Sequence, residues 1–240
     1  MLLIEALTKK TFTLSLSSGF FGFFAHCGFT KALENEGLKP KLITGSSAGS
    51  IVAACLASGL SALDMEKEFL VLNKSHYWDP GFGFGLLKGK TFEKTLLNFV
   101  KPSTHDLQTP LHIATFDILR RRTKVFKSSE DLPRVIRASC AVPLMFHPVA
   151  IDGRLYWDGG IQDKMGWSDV SSDEFILGHS LPADPVSRLF DNATATPKRV
   201  LISVAGLPST GPGNFHNAAA AINLAYETTK QQLYSRHVEI

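Results

Sequence analysis

Residues 41–59, KLITGSSAGSIVAACLASG, decide the fold of this chain. A short apolar strand around Leu42 and Ile43 is followed at once by a helix-forming stretch rich in Ala, Ile, Val and Leu. Between them lies a turn of small residues, Gly45, Ser46, Ser47, Ala48 and Gly49. A G-x-S-x-G pattern between a strand and a helix is the setting of a nucleophile elbow, in which the central serine is presented at a sharp turn.

The small residues of this elbow have a physical purpose. Gly45, Ala48 and Gly49 allow the strand and the helix to approach closely around a strained backbone. The turn places the Ser47 hydroxyl at the positive end of the following helix, where a developing oxyanion is stabilised. The motif by itself leaves open a Gly/Ser loop that only caps the helix.

The rest of the chain predicts an α/β domain. Strands are predicted from apolar patterns at residues 11–17, 111–119, 122–127, 174–180 and 199–206. Helices are predicted at 29–35, 62–73, 91–100, 129–139 (with Ser129 as its cap) and 214–235, and an aromatic, Gly-rich loop at 75–90. Strands alternating with helices indicate a mostly parallel sheet flanked by helices. No repeat or linker divides the chain, so we expect residues 1–240 to form one domain.

A candidate base lies in the segment VAIDGRLYWDGG, residues 149–160. Asp152-Gly153 between two apolar arms already predicts a two-residue hairpin turn. The second Asp-Gly pair, at Asp158, therefore requires another explanation. A carboxylate beside apolar rings can have its pKa raised and act as a general base, and Gly159 and Gly160 let backbone come close. The simpler interpretation is a second turn.

Backbone donors for an oxyanion are expected directly after the first strand. The loop Ser18–Gly22, SGFFG, has the glycines that aim consecutive N–H groups at one point. A simple connection between strand and helix is the alternative.

No histidine is placed to complete a Ser-His-Asp triad. In the chain order of α/β-hydrolases the histidine comes last, and His179, His216 and His237 lie late enough. None of them lies in a Gly-rich turn that would present it at a site. Each is interpreted as a hydrogen-bonded or surface histidine, which makes an ordinary Ser-His-Asp esterase the weaker alternative.

Composition argues against several functions. The chain has 240 residues, 44% of them hydrophobic and 20% charged, with a formal net charge of +3. The densest basic run, at 120–127, is typical of a solvated loop or strand end, so we expect no nucleic-acid binding. Weak attraction to an anionic membrane is compatible with this charge. The sequence does not indicate an oligomeric state.

Neither metal nor cofactor is expected. The three cysteines are far apart and form no ligand spacing. Residues 85–91, GLLKGKT, resemble a P-loop, but only three residues separate the glycines. The N-terminus lacks a long apolar stretch behind a basic start, and no apolar run approaches the ~20 residues of a membrane span. We expect a cytoplasmic protein, compatible with peripheral contact with a membrane.

Several segments together resemble the bacterial patatin-like phospholipases. Residues 17–40, SSGFFGFFAHCGFTKALENEGLKP, resemble the family's Gly-rich oxyanion loop and the helix after it. Residues 44–50, TGSSAGS, resemble its nucleophile elbow, and residues 138–160, ASCAVPLMFHPVAIDGRLYWDGG, the stretch that leads into its Asp-Gly-Gly/Ala motif. GLLKGK, 85–90, lies where relatives have a similar lead-in to a helix. The resemblance spans roughly residues 13–165.

The resemblance implies a Ser–Asp dyad, with Ser47 as the nucleophile and Asp158 as its base. It implies a three-layer α/β fold and hydrolysis of lipid acyl esters, of phospholipase A, lysophospholipase or carboxylic ester hydrolase type, through an acyl-enzyme and without a metal. The oxyanion hole would be formed by the N–H groups of Gly19, Phe20, Phe21 and Gly22.

The chain departs from the family pattern in two places. Many relatives have Gly-Gly-Gly-x-Arg-Gly where this chain has SGFFG at 18–22, so the arginine is missing and phenylalanines replace small residues. After Gly160, IQDKMG at 161–166 replaces the family's short polar turn and proline.

Two other functions would use the same residues. An acyltransferase would pass the acyl group from the same dyad to an alcohol or lysolipid. A lipid-binding or partner-binding module would not catalyse at all, and the altered loop 18–22 favours it. Among the phenylalanines, Phe23 and Phe24 are expected in the core, while Phe82 and Phe84, between glycines in the predicted loop, are candidates for contact with lipid.

Overall fold

The computed structural model describes residues 1–182 and 196–238. The helices are α1 (Leu3–Lys9), α2 (Phe23–Asn35), α3 (Ala48–Ala57), α4 (Ala62–Leu70), α5 (Lys90–Leu96), α6 (Leu132–Ser139) and α7 (Ala218–Ser235). The strands are β1 (Thr13–Leu16), β2 (Leu42–Ser46), β3 (Gly85–Leu87), β4 (Leu111–Asp117), β5 (Arg122–Phe126), β6 (Leu144–Phe146), β7 (Val149–Ile151), β8 (Arg154–Asp158), β9 (Ile176–Ser180) and β10 (Arg199–Ser203).

The main sheet has the strand order β10-β9-β1-β2-β4-β8-β7, and β5 also pairs with β4. The five strands from β10 to β4 are parallel. Strands β5, β8 and β7 form the antiparallel end of the sheet. This architecture confirms the predicted α/β fold with a mostly parallel central sheet flanked by helices.

The two faces of the sheet are covered differently. Leu14 and Leu16 of β1 belong to one buried core with side chains of α2, α3 and α7. On the opposite face, the Ser15 hydroxyl donates to the Met165 carbonyl at 2.6 Å and the Thr44 hydroxyl donates to the Gly166 carbonyl. The segment that departs from the family pattern therefore packs on the sheet, and its carbonyls satisfy hydroxyls that burial would otherwise leave unpaired.

Helix α2 begins at Phe23, six residues before its predicted start at Phe29. Phe23 and Phe24 are buried in its first turn, as expected for core residues. The Gly/Phe-rich sequence has no helical periodicity here, so packing of these rings rather than local propensity extends the helix.

Three local expectations were incomplete. The sequence pattern does not predict α1, and the predicted loop 75–90 contains strand β3, which pairs with β6. Helix α6 begins at Leu132, and its N-cap is Asp131, whose carboxylate accepts from the Arg134 amide at 3.1 Å. Ser129 lies outside the helix because Pro133 fits only its first turn.

Candidate active site

The register of the sheet brings the two catalytic candidates to one point. Strand β2 pairs with β4 as far as Ser46, which lies opposite Ala114. Strand β8 continues along the same edge of β4, with Asp158 opposite Thr115. Since β2 is parallel and β8 antiparallel to β4, their carboxyl-terminal ends meet. Ser47, the residue after β2, thus becomes a neighbour of Asp158, 111 residues away in the chain.

A short hydrogen bond joins the two side chains. The Ser47 hydroxyl donates to Asp158 Oδ2 at 2.6 Å. The other carboxylate oxygen, Oδ1, accepts from the Gly160 amide at 2.7 Å, and the Asp158 amide donates to the Ala141 carbonyl at 3.0 Å. Asp158 is only 6% exposed. The carboxylate is therefore held in one orientation, with one oxygen directed at the serine.

The backbone of Ser47 is strained. Its φ of +50° and ψ of −122° lie where residues with a side chain rarely occur, at a cost of about 1–3 kcal/mol. Ser139 and Ser50 support this geometry: the Ser47 amide donates to Ser139 Oγ at 2.9 Å, and the Ser50 hydroxyl donates to the Ser47 carbonyl at 2.6 Å. The Ser139 hydroxyl in turn donates to the Ala114 carbonyl at 2.7 Å. Nothing in the sequence pattern distinguishes Ser139 from any serine at a helix end.

The predicted need for small residues in the elbow is visible in the packing. A Cβ atom at Gly45 would lie 2.7 Å from the carbonyl carbon of Gly49, and one at Gly49 would overlap the Leu16 carbonyl oxygen of the neighbouring strand. Ala48 is the first residue of α3, so its N–H has no intrahelical partner.

The two glycines after the carboxylate also permit close approach. A Cβ atom at Gly159 would lie 2.7 Å from the hydroxyl oxygen of Ser46, and one at Gly160 would lie 2.5 Å from Ser18 Oγ. The segment after Asp158 therefore fits between the elbow and the loop 18–22.

The backbone amides of the loop 18–22 differ in whether they are already hydrogen-bonded. The Gly22 N–H donates to the Gly19 carbonyl at 3.0 Å and closes a turn, so this predicted oxyanion donor is already engaged. The N–H groups of Gly19, Phe20 and Phe21 make no hydrogen bond within residues 1–182 and 196–238. These three residues, and not Gly22, line the same cavity as Ser47.

Aromatic rings pack around Phe21 of the loop 18–22. Phe21 has a φ of +52°, and its ring packs edge-on against three others. The ring centroids lie 4.8 Å from that of Phe20, 5.7 Å from that of Tyr77 and 5.5 Å from that of Phe215. Such contacts between aromatic rings stabilise a fixed arrangement beyond simple burial.

Ser47 and Asp158 lie at the wall of a cavity of about 860 Å³. Its other walls are mainly apolar and include Phe69, Trp78, Leu86, Phe92, Phe99, Leu144 and Met145. Its volume is at the upper end of the range for small-molecule sites. A long apolar group thus has room beside the serine hydroxyl.

The three histidines that lie late enough in the chain for a Ser-His-Asp triad do not line the cavity. His216 and His237 are exposed, and His179 is fully buried. In the described part of the chain no histidine contacts the Ser47 hydroxyl, whose partner is Asp158. His76 does line the cavity, but its Nδ1 lies 3.2 Å from the Asn73 amide nitrogen.

His179 forms a buried pair with His26 underneath the loop 18–22. The two Nδ1 atoms lie 2.8 Å apart, and His26 Nε2 lies 2.8 Å from the Ser17 carbonyl oxygen. A carbonyl only accepts, so His26 Nε2 carries the proton, and His179 Nδ1–H donates to His26 Nδ1. Burial lowers the pKa of His26 to about 4, and burial and the neighbouring His26 lower that of His179 well below its usual value. Both rings are neutral at pH 7.

Cys140 also lines the cavity, and its Sγ atom lies 3.8 Å from Ser50 Oγ. Burial and the negative charge of Asp158 raise the pKa of this thiol. Cys140 is therefore a thiol and not a competing nucleophile at neutral pH.

Residues 1–182 and 196–238 contain no helix that combines the length and the apolar character needed to cross a bilayer. They also contain no group of three or more His, Cys, Asp or Glu side chains arranged to hold a metal ion.

Residues 14–170 match the family model for patatin-like phospholipase, about two thirds of the chain. The chain belongs to the patatin-like phospholipase family. An uncharacterised mimivirus protein from Acanthamoeba polyphaga mimivirus is 28% identical over 172 residues, 61% of this chain and 57% of that protein. An uncharacterised NTE family protein of Mycobacterium tuberculosis is 31% identical over 167 residues, 66% of this chain and 45% of the relative. The chain thus spans about half the length of the curated relatives it matches.

A human relative and two solved structures extend this comparison. Patatin-like phospholipase domain-containing protein 6 of Homo sapiens is 29% identical over 168 residues, 66% of this chain and 12% of that protein. VipD from Legionella pneumophila has a TM-score of 0.67 at 15% identity, covering 93% of this chain and 67% of VipD. ExoU, in complex with SpcU from Pseudomonas aeruginosa, has a TM-score of 0.51 at 15% identity, covering 93% of this chain and 52% of ExoU. At such identity the structural likeness supports the fold alone.

Proposed function

We propose that this patatin-like chain hydrolyses acyl esters of lipids, of phospholipase A, lysophospholipase or carboxylic ester hydrolase type, with Ser47 as the nucleophile and Asp158 as the general base. The observation that carries the proposal is the 2.6 Å hydrogen bond from the Ser47 hydroxyl to the Asp158 carboxylate at the wall of a large apolar cavity. A nucleophile and its base within hydrogen-bond reach are the requirement for activating a serine.

In the proposed first step, Asp158 Oδ2 accepts the proton of the Ser47 hydroxyl as Oγ attacks the ester carbonyl carbon. The carbonyl π electrons move to oxygen, and the oxyanion faces the N–H groups of Gly19, Phe20 and Phe21, which make no hydrogen bond within the described residues. Collapse of the tetrahedral intermediate expels the alcohol, which takes the proton from Asp158. Loss of the oxyanion donors would cost on the order of 3 kcal/mol of transition-state stabilisation.

In the proposed second step, water attacks the acyl-serine ester with Asp158 again as the base, and Ser47 is regenerated as the fatty acid leaves. The Gly160 amide holds the second carboxylate oxygen through both steps. Apolar walls favour a fatty acyl chain because they remove its methylenes from water. Such substrates are located in membranes, so the proposal includes peripheral contact with a lipid surface.

The test is hydrolysis of a p-nitrophenyl acyl ester series by the wild type, Ser47→Ala and Asp158→Asn, with Ser46→Ala as the matched control. The Ser46 hydroxyl is buried without a hydrogen-bond partner within the described residues. Ser46→Ala is therefore the same chemical change as Ser47→Ala, at the neighbouring residue and without loss of the proposed nucleophile. We expect Ser47→Ala and Asp158→Asn to lose roughly 10²–10⁴-fold in kcat, and Ser46→Ala to remain active.

A covalent phosphonate probe directed at serine nucleophiles should label the wild type at Ser47 and fail to label Ser47→Ala. A folded wild type that neither hydrolyses any ester of the series nor takes up the probe would refute the hydrolase and support a binding module. Transfer of the acyl group to an added lysolipid or alcohol, instead of release of free fatty acid, would identify an acyltransferase that uses Ser47 and Asp158.

A further inference from the structure

The loop that precedes α5 is a hairpin. The Gly81 amide donates to the Leu86 carbonyl at 3.0 Å, and the Lys88 amide donates to the Asp79 carbonyl at 3.0 Å. The tip of this hairpin carries Phe82 and Phe84, which are 107% and 78% exposed. Two aromatic rings standing free in water at the tip of one turn are unusual, because burial of each would be favourable.

Hydrogen bonds fix the base of the hairpin, so the Phe82 and Phe84 rings project from a rigid support. Asp79 Oδ1 and Oδ2 accept from the Gly89 and Thr91 amides, each at 2.9 Å. On the other arm, the His147 amide donates to the Leu87 carbonyl at 2.9 Å. The hairpin therefore projects from a base that is hydrogen-bonded to α5 and to the strand β6 region.

The exposed rings are continuous with the mouth of the cavity. Leu86 lies two residues beyond Phe84, and Leu144 pairs with Gly85 across β3 and β6. Trp78, Leu86 and Leu144 line the cavity yet are 41%, 53% and 84% exposed. We call Trp78, Phe82, Phe84, Leu86 and Leu144 together the apolar rim.

The surroundings of the apolar rim are basic. Residues 74–94 contain four lysines against two carboxylates, Asp79 and Glu93. Both carboxylates are engaged, Asp79 with backbone amides and Glu93 with Arg137 at 3.0 Å and with Lys90. Lys74 lies at the rim itself, with its ammonium 3.7 Å from the centroid of the Trp78 ring. Negative headgroups would therefore find free positive charge beside the exposed rings.

We propose that the apolar rim docks this chain on an anionic phospholipid bilayer, with Phe82 and Phe84 inserted at the interface and the cavity mouth facing the lipid. Amphipathic surfaces with aromatic side chains and lysines bind such interfaces through buried apolar area and attraction to anionic lipid. Isolated projecting rings suit a deformable bilayer better than the flat surface of a second protein. The proposal deepens the proposed function, because it names the surface from which substrate would enter.

The experiment measures partitioning of the Ser47→Ala protein, which leaves the vesicles intact, onto vesicles of phosphatidylcholine with and without phosphatidylglycerol. We expect binding that is stronger with phosphatidylglycerol and weaker at high salt. The double change Phe82→Ser/Phe84→Ser should weaken binding about tenfold or more, and Lys88→Gln about fivefold on the anionic vesicles only. The matched control is Leu119→Ser, since Leu119 is 80% exposed in the turn between β4 and β5 and does not line the cavity.

Equal partitioning of the parent protein and the double variant, or no partitioning of the parent onto either vesicle, would overturn the proposal. So would a dimer in sedimentation that is lost in Phe82→Ser/Phe84→Ser without any vesicle binding, because the rim would then contact a second copy. With Ser47 restored, the double variant should hydrolyse a soluble p-nitrophenyl ester like the wild type, since neither ring lines the cavity. Vesicle binding without hydrolysis of any ester would refute the proposed function and leave the docking surface standing, whereas hydrolysis without binding would do the reverse.

Discussion

The buried histidine pair predicts a loss of stability in mild acid. In the unfolded chain a histidine takes up a proton near pH 6.5, but in the folded protein burial lowers the pKa of His26 to about 4. The stability that the neutral ring contributes is therefore fully present above pH 6.5 and is lost as the pH falls towards 4. His179 acts in the same direction, because burial and His26 lower its pKa well below the usual value.

The magnitude follows from the difference in pKa. Each pH unit between the two pKa values costs about 1.4 kcal/mol per histidine. For His26 alone the free energy of unfolding should fall by about 2 kcal/mol between pH 7 and pH 5, and His179 adds to this. Since domains of this kind are stable by only about 5–15 kcal/mol, the effect is large enough to measure.

The assay is urea unfolding followed by tryptophan fluorescence at pH 7, 6 and 5. The comparison is His26→Leu/His179→Phe, which removes both titrating rings while a phenyl ring at 179 keeps the stack on Phe29, whose centroid lies 4.4 Å away. We expect the double variant to be less stable at pH 7, because the Ser17 carbonyl loses its donor, but to lose less stability on acidification.

Equal dependence of the unfolding free energy on pH in both proteins would refute this reasoning. A second measurement does not depend on the variant: ring-nitrogen NMR of the native wild type should show both His26 and His179 neutral at pH 5. A protonated ring in the folded protein at that pH would contradict the prediction directly.

Three further outcomes are expected around the elbow. Ser139→Ala leaves the Ser47 amide without its acceptor. We expect the free energy of unfolding in urea to fall by about 1–3 kcal/mol and kcat on soluble esters to be lower. Unchanged values of both would show that the strained turn does not depend on Ser139. Gly49→Ala places a methyl group against the Leu16 carbonyl, and we expect destabilisation by at least about 2 kcal/mol; a variant as stable as the wild type would mean that α3 can move away from β1. Cys140 lines the cavity, but its raised pKa keeps it a thiol, so it should react slowly with iodoacetamide in the native protein at neutral pH; rapid alkylation seen by mass spectrometry would contradict the raised pKa.

A matched control exists for the glycine substitution. Gly213 has open space around the position that a Cβ would occupy. Gly213→Ala should therefore leave the free energy of unfolding within a few tenths of a kcal/mol of the wild type. This control separates a steric effect at Gly49 from the general effect of replacing glycine.

The sequence alone predicted the features that depend on neighbouring residues. The elbow follows from small residues between an apolar strand and an apolar helix, and the hairpin at Asp152-Gly153 is confirmed by φ values of +48° and +72°. The prominence of Asp158 also came from local pattern, as an Asp-Gly pair that the hairpin did not require. Such signals are readable because backbone conformation and turn chemistry are decided within a few residues.

Local pattern was misleading where packing outweighs propensity. The residues before Phe29 look like a Gly-rich loop, yet burial of Phe23 and Phe24 makes them helical. Gly22 looks like an oxyanion donor, yet its amide closes a turn. For Phe23 and Phe24 the deciding contacts come from distant parts of the core, whereas the Gly22 amide is engaged by the Gly19 carbonyl, three residues earlier in the chain.

What only the tertiary structure decided is the set of contacts between distant parts of the chain. The meeting of Ser47 with Asp158 depends on β2 and β8 sharing one edge of β4, and the support from Ser139 depends on α6 lying beside the elbow. The sequence determined which residue types occupy the end of each strand. Register and packing determined which of them touch, because side chains about a hundred residues apart are brought within hydrogen-bond distance only when the whole sheet is assembled.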